Sequence, residues 1–218
     1  MSAYFVTGTD TGVGKTFVTC ALLHRFGQQG MTTIGMKPVA AGVDNNGTNE
    51  DVTQLRAAST VKVETRLINP VSFRDPVAPH LAAAAQGRDI RFAPILDALA
   101  ALQQRANVVI VEGVGGFRVP LGPDGDSADL ARALNLPVIL VVGLRLGCLN
   151  HAMLTVEAVQ ARGLALAGWV ANSIDPAMLR REENIAALRE LIAAPILGSI
   201  PFLASLDAVL AARDLRLP

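Results

Sequence analysis

The apolar run AYFV at 3–6 leads almost directly into GTDTGVGKT at 8–16, and this junction constrains the fold more than any other feature of the chain. Small residues let successive backbone N–H groups turn toward phosphate oxygens. A helix starting near Gly14 would point the positive end of its dipole at the same anion. Strand, phosphate-cradling turn and helix in succession are the opening unit of a nucleotide-binding α/β domain. In GxxxxGK[ST] the first glycine would fall at Thr9; Gly8 lies one residue early, so the loop is a lengthened variant. Lys15 is placed to reach the β- and γ-phosphates, and the Thr16 hydroxyl to bind Mg2+. An ordinary glycine-rich turn is the plainer alternative. The strand before, the helix after and the intact Gly14, Lys15, Thr16 set argue against it.

The rest of the chain repeats the strand–helix alternation. The segments 3–8, 32–39, 107–113, 136–143, 166–172 and 195–201 read as strands, and 15–28, 51–58, 91–105, 127–134, 150–162 and 178–193 as helices. The runs NVVIVEG and LPVILVVG are apolar at nearly every position, which fits a parallel sheet covered on both faces. The expectation is one P-loop α/β domain over 1–218, a doubly wound, mainly parallel sheet flanked by helices, with its site beyond the carboxyl ends of the strands. The segment 40–90 has scattered Pro and Gly and little periodicity, and reads as a substrate-facing excursion.

Charge excludes some partners. Nineteen basic residues balance nineteen acidic ones, and charged residues make up only 17% of the chain. No global field therefore draws nucleic acid or an anionic membrane. No apolar run is long enough to span a bilayer and no signal-peptide pattern opens the chain, so a cytoplasmic location is expected. Cys20 and Cys148 lie too far apart for a zinc or CxxC site.

Mg2+ prefers hard oxygen ligands, so one or two carboxylates should join Thr16. Glu112 ends the most apolar strand and opens the glycine run EGVGG, which puts a carboxylate at the sheet edge; a surface Glu before a turn is the bland reading. Asp51, in NEDV, suits a metal role and a helix N-terminus equally. Lys37, in GMKPVAAG, sits at a strand end before Pro38. It is either a solvated lysine or a second cation at the γ-phosphate. A second cation there would imply that another anion, such as a carboxylate or carbamate, meets ATP in a dry site. Cys148 and His151, three apart, are more readily a buried thiol and its neighbour than a nucleophile and base. His80 is expected to shape the substrate loop, His24 to lie on a helix surface and Asp10 to stabilise its own turn.

Taken together, GTDTGVGKT, KPVAAG, PVAPHLAA, VEGVGG, VILVVGLRLGCLNHAMLT and GWVAN resemble the dethiobiotin synthetase family, in family order from Phe5 to about Leu203. The resemblance implies an ATP-dependent ligase that takes 7,8-diaminopelargonate, CO2 (or bicarbonate) and MgATP to dethiobiotin, ADP and phosphate. A carbamate of one amine would be phosphorylated, and the neighbouring amine would close a cyclic urea. Lys15 and Lys37 would be catalytic. Gly12, Val13, Gly14, Lys15, Thr16 and Phe17 would hold the triphosphate, and Glu112, Gly113, Val114 and Gly115 would border the nucleotide. Asn172 would read adenine beside Ser173, with Pro201, Phe202 and Leu203 near the base. Thr16, Asp51 and Glu112 would hold magnesium. Thr11, Lys15, Lys37 and Ala41 would line the diamine site, and Leu146, Gly147, Cys148 and Asn150 would meet its carboxylate tail across a homodimer interface.

Three positions depart from the family pattern. Gly12 stands where some members have Glu, Ala41 where a serine can occur, and Ser173 where an aspartate is possible. The alternative is a regulatory or assembly ATPase of the septum-site or nitrogenase-iron-protein kind. Those carry an early loop lysine where Asp10 stands here. An amidotransferase-type ligase would need room for a glutaminase domain, and a binding module would lack turnover altogether.

Overall fold

A computed structural model describes residues 1–44, 47–203 and 205–218. In chain order the elements are β1 (Ser2–Gly8), α1 (Lys15–Gln28), β2 (Thr33–Met36), β3 (Val39–Ala41), α2 (Glu50–Ala58), α3 (Thr65–Ile68), β4 (Val71–Phe73), α4 (Pro79–Ala85), α5 (Ala93–Gln103), β5 (Val108–Glu112), β6 (Pro120–Gly122), β7 (Gly125–Asp126), α6 (Ser127–Leu134), β8 (Val138–Leu144), α7 (Cys148–Ala161), β9 (Leu166–Ser173), α8 (Arg181–Leu191), β10 (Ile196–Ile200) and α9 (Ala208–Ala211). Six strands form one sheet in the order β10-β9-β8-β1-β5-β2, and every neighbouring pair is parallel. This is the doubly wound P-loop fold expected from the alternation. Among the described residues no helix is long and apolar enough to cross a membrane.

The unbroken apolar strands follow from burial on both faces. In β5, Val109 and Val111 join a core containing Phe5, Ile34, Met36 and Ile95. Val108 and Ile110 point the other way, into a core with Val18, Leu22, Ile139 and Val141. Opposite faces of one strand thus feed two cores, as a two-residue period requires. A third cluster packs Leu140, Val142 and Trp169 against α7 and α8.

The run read as a single strand over 32–39 is in fact two. Pro38 has no N–H to donate to a ladder, and the Lys37 N–H leaves the sheet to bond Ile68 O at 2.8 Å. The chain then starts β3, which pairs with β4 in a separate two-stranded parallel ribbon. Lys37 therefore sits at a kink between two sheets, just past the carboxyl end of β2. The weakly periodic stretch 40–90 holds short ordered elements, α2, α3, β4 and α4; Asn45 and Asn46 within it lie outside the described residues. The helix expected to start at 150 begins at Cys148, which places Cys148 and His151 in its first turn.

Candidate active site

The phosphate loop joins β1 to α1 by two left-handed glycines, Gly12 (φ 73°) and Gly14 (φ 86°). Gly14 caps α1 without a side chain. A Cβ on it would run into Asn172 Nδ2, so glycine is required here by conformation and by space. Asn172, at the end of β9, donates Nδ2 to Val13 O at 2.9 Å. The residue expected to read the base therefore also braces the loop. Lys15 Nζ donates to Asp10 O at 2.9 Å. The Asp10 carboxylate accepts from Thr11 N at 2.7 Å and pairs with Arg145 Nη2 at 2.6 Å, so its stabilising role extends from its own turn to the loop after β8.

Thr16, Asp51, Glu112 and Lys37 converge from α1, α2, β5 and the β2 edge. Thr16 Oγ1 lies 2.9 Å from Asp51 Oδ1 and 2.8 Å from Glu112 Oε1. Its single proton can serve only one of those acceptors fully. Lys37 Nζ lies 2.6 Å from Glu112 Oε1, 2.8 Å from Asp51 Oδ2 and 3.3 Å from Gly113 O, and the residue is only 4% exposed. Lys37 is therefore not a solvated strand-end lysine. Three hard oxygens crowd one point, and Glu112 Oε2 is buried without a partner among the described residues. The donor set fits Mg2+, which takes one or two carboxylates and fills the rest of its shell with water and phosphate.

Burial and charge set the two lysines apart. Burial and, after it, the charge of Lys37 together lower the Lys15 pKa to about 8 against the pull of Glu112 and Asp51. Burial acts the same way on Lys37, but Glu112 and Asp51 outweigh it and raise the pKa above the usual lysine value. Asp51 is held below the ordinary carboxylate range: burial opposes this, and the Lys37 ammonium overrides it. Cys20, on the inner face of α1, is pushed up to about 12 by burial and by those same carboxylates. It is an inert thiol at neutral pH.

A cavity of about 730 Å³ opens over this cluster, lined by Thr11, Gly12, Lys15, Lys37, Ala41 and the Pro76–Pro79 turn among others. Val114 and Gly115 border it as well. A narrower cleft of about 180 Å³ adjoins it, formed by Gly12, Gly14, Phe17, Asn172, Ser173 and the segment Pro201, Phe202, Leu203. The expected triphosphate and base residues apart from Val13 thus fall into two adjoining spaces joined at Gly12, Gly14 and Phe17. The Val13 side chain is buried in the core with Val18 and Leu22, and Gly113 lines neither space.

Leu146, Gly147, Cys148 and Asn150 line neither space within one chain. Leu146 is 97% exposed, and the Cys148 side chain is buried in the third core cluster. The Cys148 side chain is closed to a ligand, and its backbone N–H already donates to Arg145 O at 3.0 Å. His24 is half-buried on α1 and not simply a surface residue.

Sequence reading missed Asn69, whose Nδ2 donates to Lys37 O at 2.6 Å and Val71 O at 3.0 Å and so fixes the backbone that carries the lysine. It also missed Arg145. Neither lies in a phosphate-binding pattern. Their only local signals are the Asn-Pro pair at 69–70 and an arginine closing an apolar strand.

A protein family described as an AAA domain matches residues 2–209. The ATP-dependent dethiobiotin synthetase BioD of Aromatoleum aromaticum is 58% identical over 99% of this chain and 97% of its own. That of Nitrosospira multiformis is 54% identical over 94% and 90%, and that of Xanthomonas oryzae pv. oryzae 49% over 99% and 98%. Among solved structures, a ParA family ATPase from Chlorobium tepidum superposes with a TM-score of 0.59 at 14% identity, covering 98% of this chain and 89% of the other. The MinD cell division protein of Aquifex aeolicus gives 0.58 at 14% identity, covering 98% and 95%. At such low identity these two speak for the fold alone.

Proposed function

The chain belongs to the ATP-dependent dethiobiotin synthetase family, and from that premise we propose how its residues divide the work. The reaction joins 7,8-diaminopelargonate, CO2 and ATP into dethiobiotin, ADP and phosphate. One observation carries the assignment: Lys37 Nζ lies buried between Glu112 and Asp51, beside the Thr16 hydroxyl of the phosphate loop. A switch ATPase needs no such second buried lysine, and Asp10 occupies the position of the early loop lysine in that class.

Loop backbone N–H groups from Gly12 to Phe17, with Lys15, take the triphosphate. Asn172 and Ser173, with Pro201, Phe202 and Leu203, hold the base in the adjoining cleft. Thr16, Asp51 and Glu112 hold Mg2+, which supplies charge neutralisation at the phosphates when bound. The diamine lies along Thr11, Lys37 and the Ala41 backbone. An amine lone pair adds to CO2 and loses a proton to give the carbamate. A carbamate oxygen takes the γ-phosphoryl group as ADP leaves with the bond pair. The second amine then attacks the carbonyl carbon, the C–O bond breaks, and phosphate departs with the bond pair and the proton that the amine gives up. Two anions must meet in this sequence. Lys15 and Lys37 lower that repulsion in a site of low dielectric, where positioning and charge suffice and no protein nucleophile is required.

The carboxylate tail of the diamine reaches Leu146, Gly147, Cys148 and Asn150 of a second copy in a cytoplasmic homodimer. The α7 N-terminus faces that tail with the N–H groups of its first turn, although that of Cys148 already donates to Arg145 O at 3.0 Å. Support comes from Leu146, just before α7, and Leu154 within it, both apolar and exposed. The test is a product assay: dethiobiotin should form only when diamine, bicarbonate and MgATP are all present, and ADP should appear in equal amount. ADP release without diamine would favour the switch ATPase.

Lys15 adds a proton-linked prediction. In the free enzyme its pKa is about 8, so above that pH the amine is mostly neutral, and below it the ammonium is already present. The triphosphate restores the charge and raises the pKa toward the ordinary value. Nucleotide binding at about pH 8.5 should therefore take up a substantial fraction of a proton, and none near pH 6.5. ATP affinity should weaken as pH rises past about 8. Calorimetry in buffers of different ionisation enthalpy reads the proton count. Proton release at the higher pH would contradict the assignment of Lys15 to the phosphates.

A further inference from the structure

Asp51 and Ala41 belong to different elements, α2 and β3, and nine residues of chain run between them. For metal and diamine to meet in register, something must fix one element to the other. One side chain bonds to both. Asn49 is the N-cap of α2: its Oδ1 accepts from Val52 N at 3.4 Å. Its Nδ2 donates in the other direction, to Gly42 O at 3.1 Å and Ala41 O at 3.3 Å. Its own carbonyl accepts from Thr53 N and Thr53 Oγ1. The residue is half-buried and lines the large cavity next to Asp51.

These contacts separate into two jobs. Capping needs only an acceptor oxygen, and Ser, Thr or Asp would serve as well. Donating to two successive carbonyls requires an amide nitrogen on a side chain of this length, and among the usual caps only Asn has one. We propose that Asn49 is a positioning residue that ties the Ala41–Gly42 backbone of the diamine site to the helix carrying Asp51. The inference rests on the assignment of the diamine to the Ala41 side of the cavity.

Asn49→Ser and Asn49→Asp keep the cap and remove the amide. Serine is too short to span to Ala41 and Gly42, and aspartate sets an oxygen against two carbonyl oxygens. Steady-state kinetics on the intact enzyme should show the diamine KM rising about tenfold in Asn49→Ser, the loss of two net hydrogen bonds at most, and further in Asn49→Asp. The falls in kcat and in ATP affinity should be smaller, and the melting temperature should stay near that of the parent. Ala41→Leu, which places a bulky side chain in the diamine space, is the control. If Ala41→Leu raises the diamine KM and Asn49→Ser leaves it within about twofold, the positioning role is overturned while the diamine site stands. If neither moves it, the diamine lies elsewhere, and the role falls with the site. Equal losses in diamine KM, ATP affinity and melting temperature for both Asn49 variants would reduce the residue to a helix cap and overturn the inference too.

Discussion

Lys37→Gln is expected to lower kcat by about a thousandfold while the KM for ATP moves by less than about threefold. Glutamine keeps a donor on a side chain one bond shorter and removes the charge. In the proposed division of work, ground-state nucleotide binding rests on the loop backbone, the α1 dipole and Lys15, all of which the substitution leaves in place, and Lys15 holds its proton more firmly once the neighbouring charge is gone. The lysine acts when carbamate and γ-phosphate approach, so its loss falls on the transition state. Equal losses in kcat and in ATP affinity would make it a nucleotide contact instead. The same variant leaves the Glu112 carboxylate buried without its strongest partner, and one-sided removal of a buried pair is costly. The melting temperature should therefore drop in chelator and recover when millimolar Mg2+ is added.

Glu112→Gln is the second large effect. Its side chain is fully buried, whereas that of Asp51 is 38% exposed. Glu112 Oε1 meets both Lys37 and Thr16. The amide keeps the shape and an acceptor oxygen but removes the charge that offsets Lys37 and attracts the metal. The Mg2+ concentration for half-maximal activity should rise about a hundredfold, with kcat/KM for ATP falling in similar proportion. Asp51→Asn should show the same pattern more weakly, because water screens the exposed carboxylate. If the two variants are equally mild, magnesium is not held by these carboxylates.

Both effects turn on contacts between residues far apart in the chain, and such contacts divide what could be read in the sequence from what could not. All six strands of the main sheet were legible, because burial on both faces leaves continuous apolar runs such as 108–112 and 138–144. The three-residue strands β3 and β4 were not. Each is too short to show a period, and they exist because Pro38 ends the β2 ladder and Asn69 holds the turn that follows. Lys15, Thr16 and Glu112 could be assigned roles from local pattern. The double pairing of Lys37 could not, since its partners Asp51 and Glu112 arrive from separate elements. Asn49 was visible only as part of a helix start, and its bonds to Ala41 and Gly42 depend on where β3 lies. Arg145 meets Asp10 across 135 positions, a contact no local motif encodes.

In the proposed reaction a carbamate oxygen is brought onto the γ-phosphate of ATP. Single-turnover reaction with bicarbonate labelled with oxygen-18, followed by mass analysis of the released phosphate, tests it most directly. Attack by the carbamate and later cleavage of its C–O bond must leave one labelled oxygen in each phosphate. Unlabelled phosphate formed alongside labelled dethiobiotin would contradict the account.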